Sequence, residues 1–340
     1  MALSVRLSCF NMQGMGSILD VRDLRVAYRS SSGEPFRALD GVRFCLEPGE
    51  VLGVLGESGS GKSTLAVSLL GLFRENSVVA DGTVLFRGKD LLKAEAKELR
   101  AIRGKNISLI FQEPSVALHP TMRVGQQVRR VLAAHGMDDR SELDRRTREV
   151  FETLFPEEAE RIARSYAHQL SGGQRQRVLI AQAIACGPAV VVADEPTASL
   201  DPTTQMEILG VFRRLRKSLN LTMIFITHNP ALLSGFADRV LILYAGGAVE
   251  LGSAREVLVS PKHPYTQALF RAIPSLDEPR DAGKRNLPAI PPANISPSPQ
   301  TGCPFEGRCP ERMDICKSKN PGFVSLSATH LVTCFRYESQ

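Results

Sequence analysis

The sequence lacks any apolar run that approaches the roughly 18 uninterrupted residues of a membrane-spanning helix. Its opening stretch, MALSVRLSCFNMQGMGS, has a broken apolar run and no clear small-residue cleavage site, so we expect no secretory signal. Internal repeats and sustained heptads are also missing. We therefore expect a cytosolic protein, in which any membrane role comes through a partner.

The chain is basic, but it has no cluster of like charges. The 42 Lys and Arg residues exceed the 36 Asp and Glu residues and give a net charge of +6, but they are spread along the chain. A pI near 9.0 is compatible with nucleic acid or an anionic membrane. Without a basic run, a solvated surface is the simpler interpretation. The length of 340 residues favours one large domain with appendages, or two domains.

Short apolar runs rich in β-branched residues predict an α/β fold. The runs NISLIF, AVVVAD, LTMIFIT and RVLILY are separated by helical segments such as 173–187 and 203–219. This order is typical of parallel strands that helices bury on both faces. Residues 18–28 alternate as in a half-buried strand, and two more strands are predicted around the Pro-Gly turn of ALDGVRFCLEPGEVLGVLG. The charged stretch 123–165 has helical spacing and predicts a helical insertion.

The stretch GESGSGKST, at 56–64, follows an apolar strand and opens a helix, the context in which G-x-x-x-x-G-K-[ST] indicates a phosphate loop. Its glycines let backbone N–H groups converge on phosphate oxygens. Lys62 is predicted to hold the β- and γ-phosphates, and Ser63 to complete a Mg²⁺ shell. The predicted nucleotide-binding residues are Gly56, Glu57, Ser58, Gly59, Ser60, Gly61, Lys62, Ser63 and Thr64.

Two carboxylates end the apolar strand of AVVVADEP, at 189–196. We expect Asp194 to reach magnesium through water and Glu195 to polarise the attacking water as general base. Acids also cap strand ends without any catalytic role. The phosphate loop upstream favours the catalytic interpretation.

The octamer LSGGQRQR, at 170–177, predicts a second phosphate-binding helix terminus, with Ser171 as its N-cap and Gly172 and Gly173 leaving backbone N–H groups open. At these residues the sequence resembles the ATPase subunits of ABC transporters, over roughly residues 17–275. In that family the octamer is the signature that closes on the γ-phosphate held by the opposing subunit. The resemblance implies that the signature contacts ATP bound by the opposing subunit, through Ser171, Gly172, Gly173 and Gln174.

The resemblance also implies roles for four isolated residues. Tyr28 resembles the aromatic residue that stacks on adenine, and Gln112 the glutamine that senses magnesium and water. Asp201 lies in SLD, which resembles the loop along the dimer interface, and His228 resembles the switch histidine at the γ-phosphate. Outside this family, Tyr28 is an ordinary strand-end tyrosine and His228 a structural histidine. The implied catalytic residues are Lys62, Gln112, Glu195 and His228. The implied magnesium set is Ser63, Gln112 and Asp194.

Two further segments resemble one subfamily, the oligopeptide, dipeptide and nickel importers. They are FQEPSVALHPTMRVGQQV at 111–128 and SPKHPYTQALFRAIPSL at 260–276. The resemblance implies a second, similar ATPase subunit with which ATP-driven dimer closure occurs. It also implies two membrane permeases, an extracytoplasmic solute-binding protein and a peripheral position on the cytoplasmic face of the membrane. The chain departs from the family's usual motifs in QEP at 112–114 and LHP at 118–120.

A soluble ABC ATPase that acts on nucleic acid or in regulation is the alternative. Only the basic pI supports it. The chain has one ATPase domain and no long coiled coil, so we expect no nucleic-acid partner.

The predicted organisation has an α/β P-loop NTPase core with an antiparallel β subdomain, an inserted helical subdomain and a small cysteine-rich tail. The predicted units are an N-terminal extension at 1–16, an ABC ATPase domain at 17–275 with its helical subdomain at about 113–170, a proline-rich linker at 276–300 and the tail at 301–340.

Cysteine is sparse except in the tail, where four of the seven lie in C-x5-C-x6-C-x17-C spacing, at Cys303, Cys309, Cys316 and Cys334. Four thiolates suit zinc or an iron–sulfur cluster, and this spacing does not choose between them. His330 adds a Cys₃His zinc alternative. Two disulfides are disfavoured in a reducing cytosol. The subfamily resemblance implies a [4Fe–4S] cluster, with Zn²⁺ as the alternative.

Overall fold

The computed structural model describes most of the predicted ATPase domain and nearly the whole tail. Described residues are 16–29, 35–73, 77–272 and 301–338. The predicted proline-rich linker and nearly all of the predicted N-terminal extension lie outside them.

The described strands form two sheets. Their bounds are β1 Leu19–Arg29, β2 Pro35–Leu46, β3 Val51–Leu55, β4 Ser77–Phe86, β5 Lys89–Asp90, β6 Ile107–Ile110, β7 Val190–Asp194, β8 Thr222–Ile226, β9 Arg239–Tyr244, β10 Gly247–Ser253, β11 Val324–Ser325 and β12 Leu331–Val332. The larger sheet has the order β11-β12-β10-β9-β3-β8-β7-β6, and the smaller has the order β2-β1-β4-β5.

Parallel pairing joins β6, β7, β8, β3 and β9, as the apolar runs predicted. The smaller sheet is antiparallel throughout. Since the carboxyl ends of parallel strands meet at one edge, the loops after β3, β6, β7 and β8 come together there.

Helices cover the larger sheet and form the insertion. Their bounds are α1 Lys62–Ser68, α2 Ala96–Ile102, α3 Pro114–Ala117, α4 Val124–Ala134, α5 Arg140–Leu154, α6 Ala159–Arg164, α7 Gly172–Ile184, α8 Pro202–Leu219, α9 Ala254–Val259 and α10 Pro264–Arg271. Helices α4, α5 and α6 confirm that 123–165 is helical. Within the described residues, no helix combines the length and apolar character that a membrane crossing requires.

Alternate side chains of β3 point to opposite faces of the larger sheet, and both faces are buried. Val51 and Leu55 pack into the core beneath α4 to α8. Leu52 and Val54 pack into a second core with α1 and the smaller sheet. All four side chains are fully buried, and each such burial contributes roughly 1.5–3 kcal/mol. The strand that leads into the phosphate loop is therefore held from both sides.

The tail adds two short strands to this sheet. In β12, Leu331 and Val332 pair antiparallel with Leu251 and Glu250 of β10. Nearby, Phe305 is almost fully buried against the rings of Tyr244 and Tyr265. The tail therefore packs on the ATPase domain near the end of β9, a contact that the sequence did not predict.

Candidate active site

Two glycines of the phosphate loop are required by close packing of the backbone. A Cβ on Gly56 would lie 2.4 Å from the Leu243 carbonyl oxygen. A Cβ on Gly61 would lie 2.5 Å from the Ala38 carbonyl oxygen, and Gly61 has a φ of +101°, in the left-handed region. The loop thus wraps closely around its neighbours and turns directly into α1.

Lys62 begins α1 and folds back over the loop. Its Nζ donates hydrogen bonds of 2.9 Å to the carbonyl oxygens of Gly56 and Glu57. Burial lowers the pKa of Lys62, and the charges of Glu195, Asp194 and Glu57 oppose that effect. An ammonium group at the start of this helix can donate charge-assisted hydrogen bonds to phosphate oxygens.

Asp194 ends β7 beside Ser63. Burial raises the pKa of Asp194, while a hydrogen bond with the Ser63 side chain lowers it. Its Oδ1 is buried without a hydrogen-bond partner among the described residues. An orphaned carboxylate oxygen next to a serine hydroxyl fits the oxygen-ligand chemistry of Mg²⁺ and its bound waters. The residues present therefore fit the predicted magnesium site.

The other three predicted catalytic side chains lie close to the Glu195 carboxylate. Gln112 Nε2, from the loop after β6, donates to Glu195 Oε2 at 3.3 Å. His228 Nδ1, from the loop after β8, lies 3.2 Å from the same oxygen. Lys62 Nζ lies 3.8 Å from Glu195 Oε1. Glu195 has a φ of +47°, an unusual conformation that aims its side chain at this group.

The signature begins α7, as predicted. The Ser171 side chain accepts from Gln174 N at 3.2 Å, and the Gln174 side chain accepts from Ser171 N at 3.0 Å. This reciprocal capping box leaves Ser171 at an exposed helix start. A Cβ on Gly173 would lie 2.6 Å from the Thr204 methyl group of α8. The signature helix therefore packs tightly against the start of α8.

Asp201 is the N-cap of α8. Its side chain accepts from Thr204 N at 3.0 Å and from Thr204 Oγ1 at 2.6 Å, and these bonds lower its pKa. The cap is a structural role that the sequence interpretation did not include. Tyr28 pairs with Phe36 at the end of β1 and packs on the second core, so its stacking on adenine stays a prediction.

The residues that sequence reasoning missed lie around Glu57. The Arg308 guanidinium of the tail pairs with the Glu57 carboxylate. Tyr265 Oη, from α10, accepts from Glu57 N at 2.9 Å. No local motif marks either residue, because each contact joins segments more than 200 positions apart.

The four tail cysteines are free and line one small cavity together with His263 and Phe305. Burial raises the pKa of Cys303 to about 11 and also raises the pKa of Cys309 and Cys334. Burial therefore favours the neutral thiol of these three residues when no cation is bound.

The described side chains do not form the ligand set of the expected [4Fe–4S] cluster or of its zinc alternative. In the described part of the chain, no group of three or more His, Cys, Asp or Glu residues forms a set that could hold a metal ion. Cys303, Cys309, Cys316 and Cys334 share a cavity but are not arranged as ligands. His330 does not line the cavity that the four cysteines share, and its Nε2 lies 2.7 Å from Oε1 of the buried Glu250.

Comparisons with known proteins show which family this chain resembles. The family model for ABC transporters matches residues 39–198, and that for the C-terminal region of oligopeptide/dipeptide transporters matches residues 249–316. The oligopeptide transport ATP-binding protein OppD of Salmonella typhimurium is 40% identical over 320 residues, which are 94% of this chain and 93% of that protein. The dipeptide transport ATP-binding protein DppD of Bacillus subtilis is 39% identical over 323 residues, 94% and 95% of the two chains.

Solved structures show the same cassette. The dimeric structure of MJ0796, a bacterial ABC transporter cassette, has a TM-score of 0.61 and 28% identity, covering 70% of this chain and 99% of that one. The structure of cbiO1 from Clostridium perfringens has a TM-score of 0.61 and 30% identity, covering 72% and 92%. With the geometry above, these similarities show that the chain is an ABC-type ATPase and belongs to the family of ATP-binding subunits of oligopeptide and dipeptide ABC transporters.

Proposed function

We propose that this chain hydrolyses ATP to energise the import of peptides, or of nickel or a related small solute, through an ABC transporter. One observation carries the proposal: Lys62, Gln112 and His228 converge on the Glu195 carboxylate at the edge of the parallel sheet. In the proposed site these four side chains would surround the γ-phosphate of bound ATP, with Glu195 as the base and Lys62 as the phosphate-binding cation.

In this mechanism the protein supplies position and charge. Lys62 and the loop N–H groups bind the phosphates, Glu195 accepts a proton from the attacking water, and Gln112 and His228 orient that water and the γ-phosphate. Magnesium, held through Ser63, Gln112 and Asp194, would neutralise charge on the phosphates. The remaining nucleotide contacts are those of the phosphate loop and Tyr28.

Dimer closure is the proposed link to transport. The exposed N-terminus of α7 at Ser171 is the surface that would meet ATP on an opposing, homologous subunit. Asp201 would lie beside it along the interface. Two permeases and an extracytoplasmic binding protein complete the proposed assembly, with this chain peripheral on the cytoplasmic face. No observation favours the nucleic-acid alternative.

Substitution of the base is the direct test. Glu195→Gln keeps size and hydrogen bonding but removes the base, so we expect ATP binding to persist and turnover to fall by about 10²–10⁴-fold. The assay is peptide-stimulated ATP hydrolysis by the complete transporter in proteoliposomes. Glu160→Gln, at a side chain that is 77% exposed in the insertion, is the control. Hydrolysis at the parent rate by Glu195→Gln would refute the assignment.

The domain boundaries stated above and a metal in the tail remain proposals. The observation behind the metal proposal is that all four tail cysteines line one cavity. The proposed ligands are Cys303, Cys309, Cys316 and Cys334. Iron, sulfide and zinc analysis of anaerobically purified protein tests this. Stoichiometric iron with broad visible absorption favours the [4Fe–4S] cluster, zinc alone favours the alternative, and neither metal rejects both.

A further inference from the structure

The phosphate loop meets the C-terminal tail at Glu57. Arg308 Nη2 donates to Glu57 Oε1 at 2.9 Å, and Arg308 Nη1 donates to Glu57 Oε2 at 3.1 Å. The Arg308 side chain is 9% exposed and that of Glu57 is 27% exposed. A two-pronged pair that is mostly removed from water is stronger than a solvent-screened surface pair.

An aromatic cluster fixes the guanidinium of Arg308. Its central carbon lies 5.5 Å from the centre of the Tyr244 ring and 5.8 Å from that of Phe305. Its Nη1 also lies 3.1 Å from Tyr244 Oη, to which it donates. Both aromatic side chains are buried. The cation is therefore held in place by the tail and by the end of β9, and not by Glu57 alone.

The backbone of Glu57 is also fixed. Its N–H is bonded to Tyr265 of α10, which is fully buried. Its carbonyl oxygen accepts from Lys62 Nζ at 2.9 Å and from Ser60 N at 3.1 Å. Movement of Glu57 would therefore be passed directly to the lysine that binds the phosphates.

Charge gives Arg308 a second effect on the nucleotide. The Glu57 carboxylate is close enough to act electrostatically on Lys62. Left unpaired, this carboxylate would weaken the attraction of the loop for a triphosphate. Arg308 neutralises it from the side of the tail.

We propose that Arg308 is a positioning residue for ATP binding, which neutralises Glu57 and holds the first turn of the phosphate loop. The tail thereby sets the nucleotide affinity of the ATPase domain. This inference rests on ATP binding at the phosphate loop, and it requires no metal in the tail.

The test measures the Kd of the full-length chain for Mg²⁺-ATPγS by calorimetry. Arg308→Ala should weaken binding about tenfold. Adding Glu57→Gln should restore most of the loss, because the unpaired carboxylate is then gone. Rescue of this kind is not expected if Arg308 only stabilises the tail. Arg308→Gln, a milder change, should shift Kd in the same direction and serves if Arg308→Ala does not fold.

Arg312→Ala is the matched control, since Arg312 is 61% exposed and pairs only loosely, at 4.0 Å, with Glu306 in the tail. Its Kd should equal that of the parent. In the complete transporter, Arg308→Ala should raise the KM for ATP and leave kcat within about twofold. Parent-like affinity in the Arg308 variants, or no rescue by Glu57→Gln, would overturn the inference. A parent chain that does not bind the nucleotide would instead reject the proposed function.

Discussion

The buried carboxylate of Glu250 offers a quantitative test of how the tail is held. Its Oε1 accepts from Lys262 N at 2.8 Å and lies 2.7 Å from His330 Nε2, and its Oε2 accepts from His263 N at 3.0 Å. The residue is fully buried. Glu250→Ala leaves the nearby donors without an acceptor, and one of them, His330, belongs to the tail.

The expected loss follows from this one tail contact. A hydrogen bond to a charged group contributes about 1.5–3 kcal/mol, so we expect the free energy of local opening of the tail to fall by about 2 kcal/mol. Exchange of the Thr333 amide, which is bonded to Val249 O at 2.9 Å, should then accelerate about 30-fold. Glu250→Gln keeps one acceptor oxygen and should cost about 1 kcal/mol, or about fivefold.

Hydrogen–deuterium exchange of peptides that cover 329–335 is the assay. Glu160→Ala, which removes an exposed ion pair with Arg164 on α6, should leave exchange within about twofold of the parent. An unchanged exchange rate in Glu250→Ala would refute the view that this carboxylate ties the tail to β10. If Glu250→Ala and Glu250→Gln accelerate exchange equally, the side-chain oxygen that the Gln variant keeps does not stabilise the tail.

Three further predictions concern the loop, the signature and acid stability. Gly61→Ala places a Cβ 2.5 Å from the Ala38 carbonyl oxygen, so ATP affinity should fall at least about tenfold by calorimetry; parent-like affinity would contradict the close packing. Ser171→Ala removes a helix N-cap that contributes about 1 kcal/mol. ATP binding by the single chain should persist, while ATP turnover by the transporter should fall. Unchanged turnover would argue against contact between Ser171 and ATP on the opposing subunit. Burial raises the pKa of Glu256, but hydrogen bonds chiefly from Ser253, Thr329 and Ser327 outweigh it and lower the pKa to about 2. Its unfolded pKa is about 4.5, so its stabilisation is present above that pH and disappears as pH falls towards 2. Urea midpoints at pH 7, 4.5 and 3 should show a loss in the parent that is smaller in Glu256→Gln.

The chemical centre was predictable because its residues follow short strands in recognisable local patterns. The phosphate loop after β3, the carboxylates after β7 and the capped start of α7 are all set by neighbours in the chain. Parallel strand order then brings Gln112, Glu195 and His228 to one edge, as the motif order implied. Local sequence, together with the rule that the carboxyl ends of parallel strands meet at one edge, was sufficient to predict which loops come together.

The tail was predicted least well. Four cysteines in one stretch indicated a metal site, and the structure places them around one cavity without a ligand arrangement. His330 was a candidate ligand, yet it does not line that cavity and instead contacts a buried carboxylate 80 positions earlier. Spacing of cysteines does not encode the orientation of their side chains, nor which polar group a histidine meets when it is buried.

The sequence by itself determined the α/β class and the local geometry of three segments, which are the loop that turns into α1, the strand end before Glu195 and the capped start of α7. Each depends on residues within about one turn of helix or one strand. Only the tertiary structure decided that Arg308 reaches Glu57 and that β12 extends the sheet at β10. Both contacts join segments far apart in the chain, and no local periodicity specifies them. Phe305 and Tyr265 are buried against each other, and this packing holds Arg308 of the tail beside the phosphate loop.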